Sequence, residues 1–107
     1  MVDLLKAIRA NRFIVFGRAG MDMFAAPAGA KAENAEMFES GLGGSSANIC
    51  AGLCKLGSAS GLVTSVSDDA VGRFCLNQLT KYGVDTEYCK KLGGEYRTSL
   101  AVYESTM

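Results

Sequence analysis

The chain has 107 residues, with 11 basic and 11 acidic side chains, no histidine, and no cluster of one charge sign. This length suffices for one domain with a hydrophobic core, and the balanced charge argues against a nucleic-acid-binding surface. Charged side chains interrupt the apolar positions of residues 1–16, so these residues contain no signal peptide core and no membrane span. We therefore expect a soluble, cytoplasmic protein.

The first part of the chain predicts one helix, two strands and a loop. Residues 2–10 predict a short, weakly amphipathic helix, and the unbroken apolar run 13–16 predicts a strand covered on both faces. Residues 21–25 predict a second, half-exposed strand that turns Asp22 and Phe24 to the same face. Residues 26–36 are rich in small and polar side chains and predict a loop.

A glycine-rich stretch, G-L-G-G-S-S-A-N at 41–48, precedes an apolar segment. Ser45 or Ser46 is a suitable N-cap for a helix over 47–56, which Gly57 would end. The first amides of that helix would then face outward as donors for an oxygen-rich ligand. The stretch therefore predicts a binding site for a polar small molecule.

The remaining elements continue the alternation. Residues 62–66 predict a strand, and Asp68 can cap a helix that ends at Gly83. Residues 97–105 predict a strand whose alternation places Arg97, Ser99, Ala101 and Tyr103 on one face. This order favours an α/β fold with a largely parallel sheet, and the absence of a linker favours a single unit over residues 1–107.

The four cysteines are predicted to be buried packing residues. Cys50 and Cys54 lie four residues apart on a predicted helix, Cys75 and Cys89 stand alone, and no C-x-x-C motif occurs. Without histidine, a zinc site would require all four scattered cysteines to converge. We therefore expect no metal site in the chain.

Several motifs together resemble the N-terminal part of the ribokinase-like (PfkB-type) sugar kinases. They are G-G-S-S-A-N at 43–48, L-G at 56–57, V-S-D-D-A-V-G at 66–72 and Y-G-V-D at 82–85. The resemblance runs from about residue 13 to residue 104. It implies a Rossmann-like, mostly parallel sheet flanked by helices, with small lid strands around 21–25 and 97–105. Within the family, G-R-A-G-M-D at 17–22, the glycine stretch and R-T-S-L-A-V at 97–102 look most like the 5-dehydro-2-deoxygluconokinases of myo-inositol breakdown.

The resemblance also implies a substrate site. Asp22 matches the acidic residue that binds sugar hydroxyls, the paired glycines match the first family signature, and Asn48 matches the sugar-binding asparagine. Ser45 stands where ribokinase has lysine, and Arg18 or Arg97 would supply the cation for a keto sugar acid. The implied substrate-binding residues are Asp22, Gly43, Gly44, Ser45, Asn48 and Arg97.

The chain also departs from the family pattern. Ser46, Cys50 and Ser67 stand where the family usually has a small residue or proline, a small residue, and a glycine. Nothing in the 107 residues matches the G-A-G-D motif that carries the family's catalytic aspartate. The resemblance implies ATP and Mg²⁺, and a homodimer, for the intact enzyme. We expect this chain to be an N-terminal fragment that neither binds ATP strongly nor turns over.

Two other interpretations remain open. G-L-G-G-S-S at 41–46 is close to the G-x-G-x-x-G of a dinucleotide-binding half-domain, although the polar residues before it suit a buried strand poorly. The second interpretation is a small module that binds a sugar without catalysing a reaction. Taken one at a time, the site residues also have structural explanations, because Asp22 can be a solvated carboxylate and Asn48 can satisfy a backbone group in its own helix.

Overall fold

The structure, a computed structural model, describes residues 2–105 and confirms the predicted α/β class. Three α-helices and a short 3-10 turn alternate with six strands in this part of the chain. The helices are α1 Val2–Ala10, α2 Ser45–Lys55 and α3 Ala70–Lys81, and the 3-10 turn is Ala32–Asn34. The strands are β1 Arg12–Phe16, β2 Gly20–Ala26, β3 Met37–Gly43, β4 Ala59–Ser67, β5 Cys89–Leu92 and β6 Ser99–Tyr103.

The strands form two separate sheets. The first, with the order β1-β4-β5, is parallel throughout, as predicted. The second has the order β3-β2-β6, and we call it the lid sheet. In the lid sheet β2 runs antiparallel to β3 and parallel to β6. The sequence analysis did not predict strands β3 and β5 or the short 3-10 turn, which lies in the predicted loop 26–36.

Helices α2 and α3 pack against β4 and form the core with it. The fully buried side chains there include Leu62 and Val66 of β4, Cys50 of α2, and Cys75 and Leu79 of α3. Each large aliphatic side chain buried in this way stabilises the fold by about 1.5–3 kcal/mol. Cys50 and Cys75 are therefore packing residues, as predicted, and Cys54 and Cys89 are half-buried free thiols.

Strand β1 differs from its prediction in one respect. Val15 packs against the core, but Ile14 and Phe16 are exposed, with Phe16 74% accessible. The parallel sheet ends at β1, and no element within residues 2–105 covers this face of the strand. The apolar run therefore has one covered face rather than two.

The N-caps of α2 and α3 lie one or two residues from the positions that the sequence suggested. Gly44, rather than Ser45 or Ser46, is the N-cap of α2, and the Ser46 hydroxyl donates instead to the carbonyl of Phe16 at 3.2 Å. Asp69, rather than Asp68, caps α3, because its carboxylate accepts from the amide of Gly72 at 3.0 Å.

The predicted end of α2 at Gly57 is confirmed. Gly57 has a φ of +92°, and its amide and that of Ser58 donate to the carbonyls of Cys54 and Leu53 at 3.0 Å. This paired arrangement satisfies the last carbonyls of the helix. None of the helices in residues 2–105 combines the length and the apolar character needed to cross a bilayer.

Candidate functional site

Asp22 lies in the middle of the lid sheet among residues with small side chains. It is paired with Gly41 of β3 on one side and with Ala101 of β6 on the other. None of the hydrogen bonds within residues 2–105 uses its carboxylate. Small neighbours and free acceptor oxygens leave this carboxylate able to bind hydroxyl groups of a ligand.

Gly43 allows the Asp22 carboxylate to lie directly against the backbone of β3. A Cβ atom at position 43 would sit 2.5 Å from Oδ1 and 2.9 Å from Cγ of Asp22. No side chain larger than hydrogen fits there unless the carboxylate moves. The glycine at 43 is therefore required by the position of Asp22.

Gly44 turns the chain from β3 into α2 and needs a glycine for a different reason. Its φ is +93°, and a Cβ atom there would lie 2.4 Å from the carbonyl oxygen of Arg18. As the N-cap of α2, it offers no side-chain acceptor to the first turn of the helix. The amides of that turn remain available as donors, and the helix dipole favours an oxygen-rich guest there.

Asn48 braces this turn. Its Nδ2 donates to the carbonyl of Gly44 at 2.9 Å and to the carbonyl of Leu42 at 3.3 Å. Asp22 and Asn48 thus meet the same turn, residues 42–44, from two elements. The amide nitrogen of Asn48 is used in this bracing, and Ser45 is exposed at the first position of the helix.

A hollow of about 190 Å³ opens where these elements meet. Arg18, Gly20 and Asp22 line it together with Gly44 and the β6 residues Ser99 and Ala101. The alternation expected over 97–105 is confirmed for Ser99, Ala101 and Tyr103, which line the hollow while Leu100 and Val102 do not. It does not extend to Arg97, because β6 begins at Ser99. The sequence analysis did not identify Gly20, which lines the hollow two residues before Asp22 on the same strand.

Arg97 lines a second hollow, of about 280 Å³, together with Asp68, Asp69 and the β5–β6 loop. Its Nη1 donates to the carbonyls of Gly94 and Tyr96 at 2.9 Å. The structure therefore brings Asp22, Gly43, Gly44 and Asn48 together around one turn and leaves Arg97 outside the first hollow. Arg18 is the cationic residue that lines the first hollow.

Two groups near the hollows, Cys75 of α3 and its N-cap Asp69, have shifted pKa values. Burial raises the pKa of Cys75 to about 11, and the negative charges of Asp22 and Asp69 add to the shift. The pKa of Asp69 lies below its usual range, chiefly because the Ser67 hydroxyl and then the Gly72 amide donate to its carboxylate. Cys75 is therefore a protonated packing residue, and Asp69 an ionised helix cap.

Within the described residues, no group of three or more His, Cys, Asp or Glu side chains is arranged to hold a metal ion. The strand that leads into the glycine stretch is β3, which runs antiparallel in the lid sheet. In a dinucleotide-binding unit, a strand of the parallel sheet leads into the glycine loop. The glycine stretch therefore sits in a different structural context from that alternative.

Comparison with known proteins gives consistent findings. Residues 10–106 match the family described as pfkB family carbohydrate kinase. The chain is 35% identical over 91 residues to a 5-dehydro-2-deoxygluconokinase of Photobacterium profundum, a match that covers 85% of this chain and 28% of that protein. The chain thus spans less than a third of the length of this curated relative.

Solved structures share the fold. A PfkB protein from Polaromonas superposes with a TM-score of 0.80 at 26% identity, covering 90% of this chain and 32% of that one. A sugar kinase of Pyrococcus horikoshii in complex with ATP superposes with a TM-score of 0.72 at 26% identity, covering 82% of this chain and 28% of that one.

Proposed function

Because the chain belongs to the pfkB family of carbohydrate kinases, we propose that it forms the sugar-binding part of an ATP-dependent kinase. The acceptor would be a hydroxyl of a keto sugar acid, 5-dehydro-2-deoxygluconate. The name of the Photobacterium profundum relative supports this substrate. The observation that carries the proposal is the free carboxylate of Asp22, held against Gly43 beside the uncapped first turn of α2.

Each group around the first hollow has a role in this proposal. Asp22 accepts hydrogen bonds from two neighbouring sugar hydroxyls, a charge-assisted arrangement stronger than a neutral pair. The amides at the start of α2, from Ser45 onward, donate to sugar oxygens. The carbonyl oxygen of Asn48 remains an acceptor, while its nitrogen keeps the turn in shape. These groups bind and orient the substrate.

A sugar acid also needs a cation for its carboxylate. Arg18 lines the same hollow as Asp22, and its guanidinium makes no hydrogen bond or ion pair within residues 2–105. Arg97 lies only two residues before Ser99 but lines the second hollow. We therefore favour Arg18 as the carboxylate partner and keep Arg97 as the second candidate.

The described residues do not fit Mg²⁺ with ATP. The carboxylate of Asp69 accepts hydrogen bonds from the Ser67 hydroxyl and the Gly72 amide. Within residues 2–105, no cluster of three or more His, Cys, Asp or Glu side chains could hold a metal ion. The sequence contains neither G-x-x-x-x-G-K-[ST] nor the family's G-A-G-D. The ATP complex of the Pyrococcus horikoshii sugar kinase supports ATP as the donor. We propose that this chain contributes the sugar site only, and that alone it neither binds ATP strongly nor turns over.

Calorimetric titration of the chain with 5-dehydro-2-deoxygluconate tests this proposal. We expect heat of binding with the sugar acid and none with ATP or a nicotinamide dinucleotide. Asp22→Asn should weaken binding by about 10- to 150-fold, because a hydrogen bond to a charged group contributes about 1.5–3 kcal/mol. Asp68→Asn is the matched control, since it makes the same change at an exposed carboxylate outside the first hollow. Equal binding by both variants would exclude Asp22 as a ligand.

The two arginines are separated by a second titration. Arg18→Gln should weaken binding of the sugar acid but not of 2-deoxyglucose, which lacks the carboxylate. Arg97→Gln should leave both affinities unchanged. The reverse pattern would assign the carboxylate to the second hollow.

A further inference from the structure

Ser67 and Thr98 join the two sheets at one point. Ser67 is the last residue of β4 in the parallel sheet and is 1% exposed. Thr98 is half-buried and immediately precedes β6 of the lid sheet. The two residues are 31 positions apart in the chain, so their contact is made by the tertiary fold.

The pair is held by reciprocal hydrogen bonds. The amide of Ser67 donates to Thr98 Oγ1 at 2.8 Å, and the amide of Thr98 donates to Ser67 Oγ at 3.3 Å. The two hydroxyl oxygens are 2.7 Å apart, and the Ser67 hydroxyl donates to Asp69 Oδ1 at 2.6 Å. An ionised carboxylate can only accept, so the Thr98 hydroxyl donates to Ser67 and Ser67 donates onward to Asp69. We call this arrangement the Ser67–Thr98 clasp.

The clasp lies at the start of the strand that forms one wall of the first hollow. Among the strands of residues 2–105, β6 is at the edge of the lid sheet and pairs with β2 alone. The residue after Thr98 is Ser99, which lines the hollow and packs closely on Gly20, where an added Cβ would meet the Ser99 carbonyl oxygen at 3.1 Å. A shift of Thr98 would therefore move Ser99 and Ala101 relative to Asp22.

We propose that Ser67 and Thr98 are positioning residues of the candidate site. Their hydroxyls hold the beginning of β6 against the end of β4 and so set the distance between β6 and the turn that carries Gly44. The clasp depends on Ser67, at a position where the family resemblance implies glycine, which has no hydroxyl. The consequence for ligand affinity rests on the proposed sugar-binding function, whereas the positioning of β6 does not.

Amide hydrogen exchange of the whole chain tests the positioning directly. In Thr98→Val, we expect the amides of Ser99–Tyr103 to exchange about tenfold faster, equivalent to ~1.4 kcal/mol. The core amides of Leu62 and Val66 should keep their protection. Thr98→Ser, which retains the hydroxyl, should restore slow exchange in β6. Thr80→Val is the matched control, because its hydroxyl donates only to Leu76 of its own helix.

Titration with 5-dehydro-2-deoxygluconate then connects the clasp to the site. Thr98→Val should weaken binding about tenfold, and Thr98→Ser should bind as the unmodified chain does. If Thr98→Val fails to fold, Ser67→Ala gives the same test with a smaller change of volume. Here too, we expect faster exchange in β6 and weaker binding.

The outcomes are distinguishable. Two exchange results would overturn the role of Ser67 and Thr98 as positioning residues of the site: no change of exchange rate in β6, or an equal rise of the rates in β4 and β6. Faster exchange in β6 with unaltered affinity for the sugar acid would overturn it as well. If the unmodified chain binds no sugar acid but Thr98→Val still accelerates exchange in β6 alone, the proposed function fails while the positioning of β6 stands.

Discussion

Replacing Gly43 with alanine would displace the Asp22 carboxylate while leaving the backbone unstrained. Gly43 is not among the glycines with positive φ, so alanine is compatible with its backbone conformation. The new Cβ would lie 2.5 Å from Asp22 Oδ1, whereas ordinary contact begins at 3.4 Å. The carboxylate must therefore retreat by about 0.9 Å, the difference between these distances, or rotate away.

A displacement of this size is large for a binding group. Loss of one hydrogen bond to a charged group costs about 1.5–3 kcal/mol, which corresponds to a Kd raised by about 10- to 150-fold. The free energy of unfolding should change much less, because the displaced carboxylate belongs to Asp22, whose side chain is partly exposed. The prediction is thus a loss of affinity for 5-dehydro-2-deoxygluconate without a comparable loss of folding free energy.

Calorimetry with the sugar acid gives the affinity, and urea unfolding gives the stability. Gly52→Ala is the matched control, since a Cβ at position 52 of α2 would meet nothing within 4 Å. It should bind normally and, because alanine favours the helix, gain about 0.5–1 kcal/mol of stability. If Gly43→Ala binds as tightly as Gly52→Ala, the position of the Asp22 carboxylate does not matter for binding and our reasoning about the hollow is wrong.

Two further perturbations follow from the same geometry. Gly44→Ala should cost about 1–3 kcal/mol in urea unfolding, because alanine would have to adopt a φ of +93° with its Cβ 2.4 Å from the Arg18 carbonyl oxygen; a stability equal to that of the unmodified chain would contradict the close approach. Ser67→Ala should make the fold less sensitive to acid below about pH 4. The lowered pKa of Asp69 contributes stability that is present above its unfolded pKa and is lost as the pH falls through the folded value, and Ser67 is the main cause of that shift. Unfolding in urea at neutral and acidic pH measures this, and an undiminished acid-induced loss would show that Ser67 is not the main cause.

The elements with clear apolar patterns could be predicted from the sequence. The run in β1, the strand β4 and the stripes of α2 and α3 follow directly from hydrophobic periodicity. Strand β3 was missed because it is an edge strand of the lid sheet, with Met37 72% exposed and Glu39 and Ser40 facing solvent. Strand β5 has two lysines among its four residues, and its pairing with β4 is visible only in the fold.

The helix caps show why neighbouring residues cannot be separated by pattern alone. Asp68 and Asp69 both suit an N-cap, and the choice falls to Asp69 because the amide of Asp68 donates to Leu92 at the end of β5. At α2, the turn requires a φ of +93°, which favours Gly44 over the serines that follow. Both decisions depend on contacts between residues distant in the chain.

The candidate site was predictable in part. The resemblance pointed to Asp22, the paired glycines and Asn48, but only the register of β2 with β3 brings Asp22 to the glycine turn. The sequence offered no reason to choose between Arg18 and Arg97 as the cation of the site. The structure distinguishes them, because Arg18 lines the first hollow and Arg97 lines the second. The substrate roles of these residues, a homodimer of the intact enzyme and a cytoplasmic location stay predictions.

The most direct test of the sugar-binding cleft is an NMR titration of the isotope-labelled chain with 5-dehydro-2-deoxygluconate. We predict that the backbone amide signals of Asp22, Gly43, Gly44 and Ser45 shift in a saturable manner, while those of Gly93 and Gly94 in the second hollow do not. Saturable shifts confined to the second hollow, or no saturable shift at millimolar ligand, would contradict the assignment of Asp22 and the start of α2 as the sugar site.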